Sequence, residues 1–166
     1  TDNWPPQLYV REARRMTGEY VVTEADCTGK TVAQDPVALA SYEMDSHIVS
    51  LFVDEQGRLR IEGAFFKTVP PYPVSYRALL PKKNECTNLL VPVCVSASHA
   101  AYGSMRMEPV FMMLAQAAAT AAALAVQTDT PLHDLPYERL RAKLTEDQMV
   151  MNRDRAENTT EEAPES

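Results

Sequence analysis

Cysteine is scarce in this chain: Cys27, Cys86 and Cys94 are an odd number among 166 residues, and no two form a CxxC pair. That argues against a disulfide framework and against a zinc centre, so no metal ligand set is expected. Reduced, partly buried thiols suit a reducing compartment. Basic charge is scarce too. Asp and Glu outnumber Lys and Arg by 23 to 16, for a net charge of −7 and a pI of about 5.0. Such a chain has no electrostatic footprint for nucleic acid or an anionic membrane, and the basic doublets Arg14-Arg15 and Lys82-Lys83 stand isolated. The opening Thr1-Asp2-Asn3-Trp4-Pro5-Pro6 lacks the basic and apolar segments of a signal peptide. A cytoplasmic location is the expectation, or a periplasmic one if a leader has been lost.

Charge is absent altogether from Pro109 to Val126, a length near that of a membrane span. Alanine dominates the stretch, Gln116 and Thr120 interrupt it, and neither flank carries a basic cluster or aromatic belt. A helix buried among protein is expected, and no membrane partner. With 45% hydrophobic and 23% charged residues, the chain can build a core as one domain or part of a larger one.

Along the chain, Leu8 to Val22 mixes helical and extended patterns, although Glu19 to Thr23 reads as a strand. Thr23-Glu24-Ala25-Asp26 suits a short helical turn that Gly29 breaks. Ile48 to Val53 is rich in β-branched and aromatic residues, Asp54-Glu55-Gln56-Gly57 is a turn, and Arg58 to Gly63 alternates polar and apolar. A β-hairpin is expected there. Prolines 70, 71, 73 and 81 make Tyr72 to Leu80 extended, as an edge strand or an ordered loop. Asn88 to Val95 reads as a short apolar strand with Pro92 near an edge, followed by a small-residue loop from Ser96 to Gly103. Pro109 suits the first turn of a helix running to Gln127, roughly 28 Å long. Asp134 to Gln148 reads as a second, amphipathic helix, and Asn152 to Ser166 as a disordered acidic tail.

Strand, small-residue loop and helix together are the most informative local pattern. Such a loop lets backbone approach a flat ligand closely, and the helix amino end offers free N–H groups and positive potential to an anion. On spacing alone, an α/β unit packed purely for stability accounts for it equally well.

The segment NLLVPVCVSASHAAYGSMRMEPVFMMLAQAAATAAALAV, residues 88 to 126, resembles the carboxy-terminal motif of FAD-dependent oxidoreductases of the fumarate-reductase-like class, some labelled xanthan lyase. Upstream, REARRMTGEYVVTEADC (11 to 27), YEMDSH (42 to 47) and PYPVSYRALLPKK (71 to 83) are similar to the same family in the same order. The resemblance implies an α/β or α+β fold: a partial FAD-binding, Rossmann-like domain completed by a mixed β-sheet cap or substrate domain. Residues 1–87 would belong to the cap, 88–150 would return to the FAD domain, and 151–166 would be the tail. It implies FAD as cofactor, a small organic substrate, and hydride transfer between the two.

One departure from the family is large. The five glycines, at 18, 29, 57, 63 and 103, nowhere form the GxGxxG spacing that seats a dinucleotide pyrophosphate. The expectation is therefore a carboxy-terminal portion that needs an amino-terminal FAD-binding half, in the same or a separate chain. The alternative is a non-catalytic remnant or interaction module that pairs with another chain. A polysaccharide lyase would need a base and a charge-neutralising group, for which no separate constellation is visible.

The same resemblance implies the site residues. Ser96, Ser98, His99, Gly103, Ser104, Arg106 and Met107 would contact the cofactor. His47, Tyr76, Arg77 and His99 would serve the substrate chemistry. Each has a plainer reading. His99 either moves a proton or is a loop histidine held by backbone carbonyls. Arg106 meets an anionic ligand or pairs with Glu108. Asp45-Ser46-His47 lies near substrate or is a turn bonding its own backbone. Tyr76-Arg77 orients substrate or forms a strand-edge salt bridge. Met105, Met107, Met112 and Met113 suit core filling.

Overall fold

The computed structural model describes residues 12–152. The expected opening at Trp4-Pro5-Pro6 and nearly all of the expected acidic tail lie outside the described residues.

A long antiparallel ribbon dominates the first half. Strands β1 (Pro36–Ala40), β2 (Met44–Ser46) and β3 (Ser50–Val53) run out, and β4 (Leu59–Glu62), β5 (Phe65–Lys67) and β6 (Tyr72–Ser75) run back. The pairs nest as β1 with β6, β2 with β5 and β3 with β4, in a nearly constant register from Ala40 opposite Tyr72 to Val53 opposite Leu59. The expected hairpin is the far end of this ribbon. Gly57 turns it with φ of 73°, and the Asp54 carboxylate accepts from the N–H groups of Gln56 and Arg58. The cap was expected to be a mixed sheet; the named strands pair only antiparallel and two by two. Every residue of β1 except Leu39 is buried, whereas all of β4 is exposed.

After β6 a 3-10 turn, Tyr76–Leu79, replaces the expected extended chain, with Ser75 as its cap. Residues 88–95, expected to be a strand, form none. Pro92 donates no hydrogen bond, and Leu89 and Val93 are about half exposed. The segment is tied by single bonds from Val91 N–H to Leu79 and from Ser96 N–H to Ala78. Glu19 to Thr23 likewise forms no strand, contributing one isolated bridge, Val22 with Ala97, and leads into the short helix α1 (Glu24–Cys27).

The expected small-residue loop is in part a helix, α2 (His99–Met105). Ser98 caps it, accepting from the Ala101 N–H, and two alanines propagate it. Helix α3 (Glu108–Thr128) follows with Pro109 in its first turn and ends at Asp129, whose φ is 49°. By length and composition α3 is apolar enough to cross a membrane, and 33% of that window is buried. Its buried face, Val110, Leu114, Ala117, Ala118, Ala121 and Ala125, joins β1 and α4 (Tyr137–Glu146) in one core. Helix α4 is shorter than expected because Pro136 bars a helical start before it; Leu132–Asp134 forms a separate 3-10 turn. Antiparallel ribbon and segregated helices make the fold α+β.

Two buried tyrosines, Tyr72 and Tyr76, and the partly buried Tyr137 tie this core together through their hydroxyls. Tyr72 donates to Ser104, Tyr76 to the Leu132 carbonyl and Tyr137 to the Pro36 carbonyl. Burial pushes the hydroxyls of Tyr76 and Tyr137 up to about 12 and that of Tyr72 higher. Because the folded values lie above the unfolded value of about 10, their contribution is intact below pH ~10 and is lost as pH climbs toward ~12. Urea melts are expected to hold a constant midpoint to about pH 9 and then fall steeply, with a shallower fall in Tyr76→Phe. An alkaline limb identical in Tyr76→Phe would remove that tyrosine from the account.

Candidate functional site

The junction of β2 with α2 brings the buried Asp45 carboxylate and the buried Arg106 guanidinium together. Gly103 allows the approach: a Cβ there would stand 2.6 Å from the Asp45 carbonyl oxygen, so the helix lies directly on the strand backbone. One turn on, Arg106 folds back, only 7% exposed, and its Nη2 donates to both the Asp45 carbonyl at 3.1 Å and its Oδ2 at 3.2 Å. Glu12 stands 3.9 Å from the same guanidinium. Arg106 thus pairs with Asp45 and Glu12, not with Glu108. Two atoms of this cluster, Arg106 Nε and Asp45 Oδ1, are buried and find no hydrogen-bond partner among the described residues.

Beside this pair runs a chain of three side chains. Glu12 Oε2 lies 2.8 Å from His99 Nδ1, and His99 Nε2 lies 2.8 Å from Ser46 Oγ. A carboxylate at Nδ1 selects the tautomer protonated there, so Nε2 accepts from the Ser46 hydroxyl. Ser46 is 1% exposed, while the His99 side chain is 45% exposed and packs edge-on against Phe65. A buried hydroxyl has poor access to a substrate carbon; the imidazole is half exposed, with both of its nitrogens held by protein partners. Arg15 bonds Glu12 and the Ala97 carbonyl and stacks over the Tyr102 ring, holding the carboxylate in place.

Of the residues expected at a site, His47, His99, Gly103 and Arg106 converge here. His47 Nε2 lies 3.3 Å from Asp45 Oδ2. Met107 follows as the amino cap of α3. Others serve the framework. Ser98 caps α2; Ser96, fully buried, accepts from the Gly18 N–H; Ser104 accepts from Tyr72 and donates to the Tyr42 carbonyl. Tyr76 and Arg77 sit apart from the junction. Tyr76 is 4% exposed within the core, and Arg77 pairs with Asp35 at 3.1 Å while lying over the Tyr20 ring.

Glu12 and Arg15, within the 11–27 segment, and Ser46, within Asp45-Ser46-His47, join the cluster although none was named as a site residue. Glu12 is 87 residues from the histidine it bonds, and nothing in its local spacing marks it. An open cleft of about 440 Å³ lies elsewhere, lined by Ala122, Ala125, Val126, Asp129, Pro131 and Leu132 near the far end of α3. That places it roughly 25 Å along the helix from the junction, and its wall is largely apolar, with Thr87, Asn88, Asp129 and Thr130 as its polar lining.

Comparison with curated proteins and with solved structures returned no match. A family model described as FAD dependent oxidoreductase matches residues 1–144. The match takes in the whole junction, from Glu12 through β2 to α2. The chain therefore belongs to the FAD-dependent oxidoreductase family, whose cofactor is FAD.

Proposed function

We propose that the β2–α2 junction is the face this chain turns toward flavin and substrate, and that His99 is its acid–base residue. The observation that carries the reading is the Glu12–His99–Ser46 chain set beside a buried arginine with an unpaired Nε. A carboxylate that orients an imidazole, whose other nitrogen is held by a hydroxyl that a substrate can displace, suits general acid–base chemistry. The 88–126 motif supports placing the chain with the fumarate-reductase-like members of the family.

The donors here suit one end of FAD only. Arg106 and His99 fit a flat, hydrogen-bonding, partly anionic ring, with Met107 beside them, while Gly103 and Ser104 are buried in the packing behind. The pyrophosphate end does not fit the described residues: Gly29, Gly57 and Gly63, which have positive φ, lie outside any strand-to-helix turn. We therefore assign the glycine-rich dinucleotide turn to polypeptide outside these 166 residues, in the same or a separate chain. FAD, when bound, supplies the hydride acceptor. This chain's residues do the rest: the substrate displaces the Ser46 hydroxyl from His99 Nε2, which takes the proton, Glu12 stabilises the imidazolium that results, and Arg106 meets developing negative charge. His47, on the same strand end, faces the substrate side. Tyr76 and Arg77 hold the 3-10 turn behind the site and act on substrate only through it.

The test is FAD binding followed by flavin fluorescence, with the chain alone and with a segment carrying a strand–GxGxxG–helix unit. Tight binding only in the combination is expected, weakened about tenfold or more by Arg106→Met, as loss of one charged hydrogen bond implies. Equal affinity with and without the chain would sink the reading. Once a substrate is found, His99→Ala should slow turnover by about 10²–10⁴.

A further inference from the structure

The far end of the ribbon carries an aliphatic surface that nothing in the described chain covers. In an antiparallel pair, residues opposite each other share a face. Leu51 opposes Ile61, and Val53 opposes Leu59. These four therefore form a contiguous quartet, and they are exposed by 64%, 59%, 66% and 70% respectively. Val49, at 71%, flanks it. The opposite face holds Ser50, Phe52, Arg60 and Glu62. The charges near the turn satisfy one another: Asp54 takes both Arg58 and Arg60, at 3.0 and 2.8 Å.

We infer that this face is a homodimer contact, in which the ribbon arms of two copies pack quartet against quartet around a two-fold axis. An antiparallel ribbon has its own approximate two-fold through the centre of such a quartet. Four aliphatic groups of similar size, two from each strand, thus present the same pattern after rotation, as an isologous contact demands. Charge permits it. From Ile48 to Phe66 the charged residues are Asp54, Glu55, Arg58, Arg60 and Glu62, a sum of −1 out of the chain's −7. Two copies repel elsewhere but meet here nearly neutral.

Area points to the same partner. Five aliphatic side chains at this exposure present on the order of 500 Å², at the top of what a monomer commonly leaves bare. Two facing copies bury on the order of 1,000 Å², the lower bound of a specific interface. An area of this size fits a reversible dimer, not an obligate one.

Sedimentation velocity of the full 166-residue chain from low to high micromolar concentration tests this directly. A concentration-dependent dimer is expected in the unaltered chain and in Phe52→Ser, which alters the opposite face. The double variant Leu51→Glu with Ile61→Glu should stay monomeric throughout, with its far-ultraviolet dichroism unchanged because both positions are exposed. A monomer at every concentration in the unaltered chain would overturn the inference. So would a dimer that survives the double substitution, or one lost equally in Phe52→Ser. None of these outcomes depends on flavin binding, so the result is separate from the functional reading above.

Discussion

Replacing Arg106 with methionine is expected to destabilise the chain by about 3–5 kcal/mol, among the larger losses any single substitution causes. The guanidinium is 7% exposed and its partners Asp45 and Glu12 are 10% and 17% exposed. Methionine fills a similar volume, so packing survives and the loss isolates charge. Glu12 keeps Arg15 and His99 as partners. Asp45 keeps His47, which is half exposed, and its Oδ1 already has no described partner. The stranded Asp45 carboxylate then dominates the cost. Adding Asp45→Asn to Arg106→Met is accordingly expected to recover part of the loss, because a neutral amide is cheaper to bury than an unpaired carboxylate. Urea melts of the two single variants and the double complete the cycle. A loss below about 1 kcal/mol in Arg106→Met would show that water already serves this pair.

The second large effect lies three residues earlier. Gly103→Val is expected to cost about 3 kcal/mol or more, and Gly103→Ala less. Two effects oppose each other in the alanine variant. In a helix interior alanine is favoured over glycine by about 1 kcal/mol. Against that, its Cβ would sit 2.6 Å from the Asp45 carbonyl oxygen and 3.2 Å from the Asp45 nitrogen and carbonyl carbon. These are backbone atoms of β2, paired to β5 through Asp45 opposite Phe66, and cannot rotate aside as a side chain tip does. The strand or the helix must move, and the clash wins. Valine adds two γ carbons to the same gap. Because Arg106 grips the same Asp45, widening the gap should also loosen that ion pair. The expected signature is a lowered urea midpoint together with faster proteolysis of the 42–47 segment. An alanine variant more stable than the parent would mean that α2 shifts freely over β2.

How far the sequence reaches is uneven, and the reasons are local. The hairpin about Gly57 was legible because alternation and turn chemistry are nearest-neighbour properties. The long alanine helix was legible because Pro109 and an uncharged run mark it plainly. Residues 88–95 were not: an apolar run says that side chains avoid water, but a strand also needs a neighbour to bond, and only scattered bonds meet it. Residues 96–103 were read as loop because they are small, and the helix takes 99–105. Small residues suit a helix equally once Ser98 caps it, and the close approach of β2 rewards them. At the site, His47, His99, Gly103 and Arg106 could be named in advance, through resemblance more than spacing. Tyr76 and Arg77 were named by the same route, yet the fold sets them into the core and against Asp35.

By itself, then, the sequence determined membership in a flavin-dependent family, the acidic and cysteine-poor character, the hairpin and the long helix. Each rests on composition, on contacts a few residues apart, or on an ordered set of motifs. Only the tertiary structure decided that Glu12 and Ser46 bracket His99, that Arg106 answers Asp45, and that no described residue covers the ribbon's outer face. Those pairings span 53 to 87 residues, and no local pattern records which distant side chain the packing of α2 on β2 will deliver.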